Sequence, residues 1–262
     1  MPWGMIGGSG GAAGGTLGAV GAAATEGPIG PPEPTSAQAL WWANDLIGVG
    51  DGNPVGSWVD RIGGITVTAS GSSRPTFDVD GIGGKPSVNF DGVNDRLTVA
   101  HEVTSGSSGV VVMVVRFDSL AQECDICSFA RSNSDMWYAR TNVWASKLNV
   151  STGRGATPDA VKGGTSMSAG TDYAIEAGSA GSTFLLGVNN AAESLTVTSG
   201  TNNGAWLSAV TSRDLFTVGA LGRNFFNNHL NGRLAFLGVY DQPLSSTDRD
   251  NLYGWINDTY GI

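Results

Sequence analysis

The sequence has 262 residues, 14 Lys and Arg against 23 Asp and Glu, a net charge of −9, and only 14% charged side chains. That length suits one large all-β or α/β domain or two small ones, and it buries enough surface to fold without a disulfide or metal staple. Forty glycines disfavour long helical bundles, and the lack of any Lys/Arg cluster excludes a phosphate-backbone binder, so no nucleic-acid partner is expected.

Residues 1–26 form a Gly/Ala-rich arm that is chargeless as far as Thr25. It has no basic n-region, so it does not read as a secretory signal. Gly10, Gly14 and Gly18 recur every fourth residue, as in helix contacts within membranes. Its large apolar residues are Trp3, Met5, Ile6, Leu17 and Val20, too few for stable membrane insertion. They are also too few to offset the entropy of ordering so many glycines. The arm is therefore expected to be clamped by neighbouring subunits, with those five residues as an assembly anchor in a homo-oligomeric assembly. Residues 27–37 follow, and Pro28, Pro31, Pro32 and Pro34 make them a stiff polyproline-type linker.

From residue 38 onward short strands alternate with Gly/Asn/Asp/Ser turns. ITVTA at 65–69, PSVNFD at 86–91 and RLTVA at 96–100 alternate or are β-branched. GVVVMVVRF at 109–117 is an unbroken apolar run, as expected of a strand buried on both faces. MWYAR, YAIEA, TFLLGVN, SLTVT, LFTVGA and RLAFLGVYD continue the series. This spacing predicts a two-sheet sandwich or barrel. The C-terminal segment differs. Ser245 and Asp248 form a capping-box-like pair, and Leu252, Trp255, Ile256 and Thr259 fall on one face of a terminal helix. Cys124 and Cys127, in CDIC, read as unpaired thiols in or near a strand, since neither a βαβ context nor a zinc ligand set accompanies them.

LWWANDL, SWVDRIGG, GIGGKPSVNFDGVNDRLTV and GVVVMVVRF resemble the opening strands of a laminin-G-like domain. FTVGALGR and LNGRLAFLGVYDQPLSSTDRDNLYGWINDTYG resemble its closing strands and helix. The resemblance covers residues 38–262, most weakly in the middle third. It implies an all-β, two-sheet jelly-roll sandwich of the concanavalin A-like lectin/glucanase superfamily, with a C-terminal helix and, here, an extended N-terminal arm. Similar modules occur in phage virion proteins, bacterial adhesins and polysaccharide-active enzymes. Trp41, Trp58, Phe90, Leu97 and Leu230 are expected in the core. Gly92 is expected in a turn held by Asp91, Asn94 and Asp95.

Retaining glucanases of this superfamily use an E-x-D-x-x-E strand, because hydrolysis with retention needs two carboxylates about 5–5.5 Å apart. The six glutamates (Glu26, Glu33, Glu102, Glu123, Glu176 and Glu193) supply no such pair. The G-x-S-x-G match at 7–11 lies in the arm, without a strand–turn–helix context. No enzyme activity and no cofactor are expected. Asp78, Asp80, Asp91, Asn94 and Asp95 offer oxygens but no dense acidic loop, so no metal is expected. Sugar binding needs an aromatic face with amides nearby. The first candidate cluster is Phe225, Phe226, Asn227, Asn228 and His229, and the second is Trp137, Tyr138 and Trp144.

These readings lead to a non-enzymatic bacteriophage virion protein, decorating the capsid or attached to the tail. The arm would bind other virion proteins, and the body would be displayed toward host surface glycans. Its location would be the virion, assembled in the host cytoplasm. The alternative is a secreted or surface carbohydrate-binding lectin or adhesin.

Overall fold

The computed structural model describes residues 30–132, 135–142, 146–153, 158–210, 213, 215–223 and 225–262, with the backbone alone at 131, 132 and 142. The arm with its five anchor residues, and Trp144, lie outside the described residues.

In chain order the strands are β1 (Ala37–Trp42), β2 (Ser57–Val59), β3 (Thr66–Thr68), β4 (Thr76–Ile82), β5 (Lys85–Asp91), β6 (Leu97–Val99) and β7 (Gly109–Phe117). Then come β8 (Cys124–Ser132), β9 (Asp135–Asn142), β10 (Lys147–Thr152), β11 (Asp159–Ser166), β12 (Asp172–Ser179) and β13 (Phe184–Val188). The series ends with β14 (Ala191–Ala192), β15 (Thr196–Ser199), β16 (Leu215–Val218), β17 (Leu221–Gly222), β18 (Phe226–Asn227) and β19 (Asn231–Tyr240), before the single helix α1 (Ser246–Tyr260). All the strand pairings described are antiparallel. One sheet runs β14-β13-β12-β7-β19-β5-β4, and the other β15-β11-β10-β9-β8-β16-β6-β3-β2. The fold is the expected all-β sandwich with one C-terminal helix.

β19 organises the first sheet. One edge pairs with β7 along its whole length. The other edge is shared, by β5 over Asn231–Leu234 and by β1 over Phe236–Tyr240. The continuous apolar run of β7 now has a cause. Val111, Met113 and Val115 enter the core between the sheets, while Val110, Val112 and Val114 pack under α1. A strand covered on both faces has no solvent side on which to place polar residues.

The core between the sheets contains Trp41, Trp58, Phe90, Leu97, Leu230 and a chain of rings. Trp41 stacks on Phe216 at 5.3 Å, Phe216 lies 4.6 Å from Phe129, Phe129 meets Trp137 at 5.8 Å, and Trp137 meets Trp206 edge-on at 4.9 Å. Trp41 and Trp58 also lock the chain reciprocally: each indole N–H donates across the β1–β2 connection, to the carbonyls of Trp58 and Trp42.

The Ser245 hydroxyl caps α1, accepting from Asp248 N at 3.1 Å and donating to its carboxylate at 2.7 Å. The buried face of the helix differs from expectation. It carries Leu252, Tyr253, Ile256 and Tyr260, with Trp255 and Thr259 only half-buried. At Tyr260 the reason is that tyrosine can bury its ring while its hydroxyl finds a partner. The indole of Trp42 donates to the Tyr260 hydroxyl at 2.9 Å. Cys124 and Cys127 are buried, unpaired thiols in β8, as expected, and burial pushes the Cys127 thiol far above its ordinary range.

Candidate functional site

A hydrogen-bonded turn forms one wall of the site. After β5 the chain reverses at Gly92, whose φ of 73° is left-handed, and a Cβ there would meet the Asn231 side chain at 2.7 Å. Asp91 Oδ1 accepts from the backbone N–H groups of Val93, Asn94 and Asp95, and Asp95 Oδ2 accepts from Asp91 N at 3.0 Å. Burial pulls the Asp91 carboxyl upward, but these three donors and His229 outweigh it and hold it below the usual range. Asp95 has fewer compensating donors, and burial pushes it up to about 6. Asp91 and Asp95 thus hold the turn, as expected of them. Among the described residues no cluster of three His, Cys, Asp or Glu suits a metal ion. Gln122 Nε2 ties the turn to the segment before β19, donating to the carbonyls of Gly92 at 2.7 Å and His229 at 3.1 Å.

The short β17–β18 hairpin stands beside the turn, against β8. Its Leu221 joins Ala130 and Met136 in a small apolar cluster, and the Ser128 hydroxyl bridges Ala220 O and Gly222 N. Two adjoining clefts result. One, of about 530 Å³, is lined by Gly92, Val93, Gln122, Phe226 and His229. The other, of about 310 Å³, is lined by Met136, Tyr138, Arg140, Leu221 and Arg223. Glu123, Asn227 and Asn228 lie in both.

Strand periodicity places the second cleft on the outer face of its sheet. Met136, Tyr138 and Arg140 alternate along β9 and point away from the core, whereas Trp137 and Ala139 point into it. Arg140 binds Asp125 through Nε at 3.2 Å and Nη2 at 3.0 Å, and Glu123 through Nη1 at 2.8 Å. Its guanidinium also lies 3.8 Å from the centre of the Tyr138 ring. Asn228 Nδ2 donates to the same Glu123 oxygen at 3.1 Å. Asp125 is 0% exposed. That burial pushes its carboxyl up to about 6 even though Arg140 draws it down. His229 is pulled below its usual range, first by burial, with its Nδ1 3.2 Å from Asp95 O.

Four members of the first candidate cluster and Tyr138 of the second meet here. Phe225 lies beside the clefts, 52% exposed, with the Arg223 guanidinium 4.4 Å from its ring centre. Trp137 is a correction: it is 0% exposed and wedged between Phe129 and Trp206, because neighbours in a strand face opposite sides. Sequence reasoning missed Gln122, Glu123, Arg140 and Arg223. Counting two residues on from Tyr138 would have found Arg140. The others arrive only through the long-range contacts that set the hairpin against β8.

No protein-family model matches the chain, and no curated protein does. Solved structures do. Domain 4 of AbnA, a GH43 extracellular arabinanase from Geobacillus stearothermophilus, solved with arabinotriose, superposes with a TM-score of 0.62 at 14% identity, covering 83% of this chain and 98% of that one. The CBM40 of the Ruminococcus gnavus IT-sialidase, bound to α2,3 sialyllactose, superposes at 0.53 and 12% identity, covering 64% and 94%. The NanB sialidase of Streptococcus pneumoniae, as a point mutant, gives 0.54 and 13%, matching 62% of this chain but 26% of its own. At such identities the fold is what is shared. It is an antiparallel β-sandwich, and none of these three is a virion protein.

The carboxylates of the site are poorly placed for hydrolysis. Glu123 and Asp125 fill the first two positions of an E-x-D-x-x-E strand, but the last is Ser128, whose hydroxyl is spent inside the fold. Asp125, whose raised pKa resembles that of a general acid, is sealed from solvent behind Arg140. Two accessible carboxylates facing one bond are not found among the described residues of these clefts.

Proposed function

We propose that the chain is a non-catalytic carbohydrate-binding domain whose glycan lies along the two clefts beside the β17–β18 hairpin. The observation that carries this reading is the composition of that surface. The Tyr138 and Phe226 rings, the Asn227 and Asn228 amides, Gln122 and His229 converge on one concave region of the outer sheet. Rings offer faces to sugar C–H groups, and amides offer paired donors and acceptors to hydroxyls. Asn227 Oδ1 is buried and has no hydrogen-bond partner among the described residues. The fold shared with an arabinanase domain and a sialidase-associated module supports the same reading.

The test is a glycan array probed with the full chain, with arabinan oligosaccharides and sialyllactose among the probes. Binding to a defined glycan class is expected, weakened about tenfold or more by Tyr138→Ala or Asn227→Ala, as for a lost central contact, while the melting temperature holds. A blank array refutes the proposal. Anchoring of this body in a phage particle through residues 1–26 is a separate proposal, supported by the arm's composition alone. A chain lacking those residues that still enters particles at full occupancy would sink it.

A further inference from the structure

Arg223, in the loop that joins β17 to β18, is only 8% exposed. Its Nε and Nη1 atoms are shut off from solvent and have no hydrogen-bond partner among the described residues. No carboxylate among the described residues forms an ion pair with it, and its one contact of charge is with the Phe225 ring. Arg140 in the same cleft is the reverse case, saturated by Asp125 and Glu123. A desolvated guanidinium without an anion is costly to maintain, and buried cations in folded proteins are paired as a rule. Arg223 also lines the smaller cleft with Tyr138 and Asn227. On the far side of the hairpin Arg96 lies 4.0 Å from the Phe226 ring centre, likewise without an acid partner among the described residues. A chain of net charge −9 thus carries two arginines beside the hairpin that no carboxylate among the described residues compensates.

We propose that the ligand of this cleft is a sugar bearing a carboxylate, and that Arg223 supplies the pairing cation. The inference rests on the glycan-binding reading above and adds the chemical class of its ligand. The carboxylate completes the charge that the fold leaves open at Arg223. Tyr138 and Asn227 take the ring face and a hydroxyl of the same residue. An entering anion pairs with Arg223 rather than Arg140, because Asp125 and Glu123 already occupy the latter.

The experiment measures affinity of the full chain for acidic oligosaccharides, oligogalacturonate and sialyllactose, and for their carboxyl-reduced counterparts. The acidic form is expected to bind about ten- to a hundredfold more tightly, the range of one charge-assisted hydrogen bond. Arg223→Gln is expected to erase that difference between the acidic and reduced forms, and Arg223→Lys to restore part of it. Equal binding of acidic and reduced forms by the natural chain overturns the inference while sparing the glycan-binding reading, and needs no variant. An acid preference that survives Arg223→Gln in a folded protein also overturns it. Binding of neither form overturns the inference, and it defeats the glycan-binding reading as well when the arabinan oligosaccharides of the array also stay unbound.

Discussion

The buried carboxyl of Asp125 makes stability depend on pH in a direction opposite to the usual acid. Its native pKa is about 6 against an ordinary 3.8, because burial outweighs the attraction of Arg140. The native state therefore binds this proton more readily than the unfolded chain. The penalty of ionising the group is fully present above pH 6, and it is relieved as pH falls toward 3.8. Linkage converts that displacement into about 1 kcal/mol of added stability between pH 7 and pH 5. This is a measurable share of the roughly 5–15 kcal/mol that holds a domain together. Asp125→Asn keeps the shape and an acceptor for Arg140 but cannot titrate. Urea unfolding at both pH values, in both proteins, isolates the group. His229, whose lowered pKa works in the opposite sense, and Asp95, which adds a slope of the same sense, are common to both and cancel. The natural chain is expected to gain about 1 kcal/mol on the variant between pH 7 and pH 5, with unchanged m-values. Parallel stability curves for the two proteins would refute the reasoning.

Trp137→Ala is expected to destabilise the fold by about 3–5 kcal/mol, since it empties a site between Phe129 and Trp206. A variant that melts like the natural chain would place that ring outside the core. Ser245→Ala is expected to cost about 1 kcal/mol through loss of the α1 cap, read as a shift in denaturation midpoint. No shift would mean that the Asp248 N–H is served equally well by water.

The cleft was legible in part. RNFFNNHLNG is a turn-rich aromatic segment, and its Phe226, Asn227, Asn228 and His229 do reach the concave surface. Pairing Trp137 with Tyr138 failed because aromatic content was read without the two-residue alternation of a strand. Arg223 and Glu123 are ordinary charged residues in the sequence. Their meaning depends on which partners they meet or lack after β8, β9 and the hairpin have been brought together.

Local pattern by itself determined much of this protein. The unbroken apolar run 109–117, the Asp91–Asp95 turn around Gly92 and the Ser245 cap follow from periodicity and turn chemistry, which act between near neighbours in the chain, while the core positions of Trp41, Trp58 and Phe90 were implied by the family resemblance. The tertiary structure alone decided that β19 would be shared by β1, β5 and β7, that α1 would seal the outer face of that sheet, and that Arg140 would be neutralised while Arg223 was not. The reason is that pairing, burial and charge compensation join residues up to about two hundred positions apart, and no local signal in the chain encodes which of them will meet.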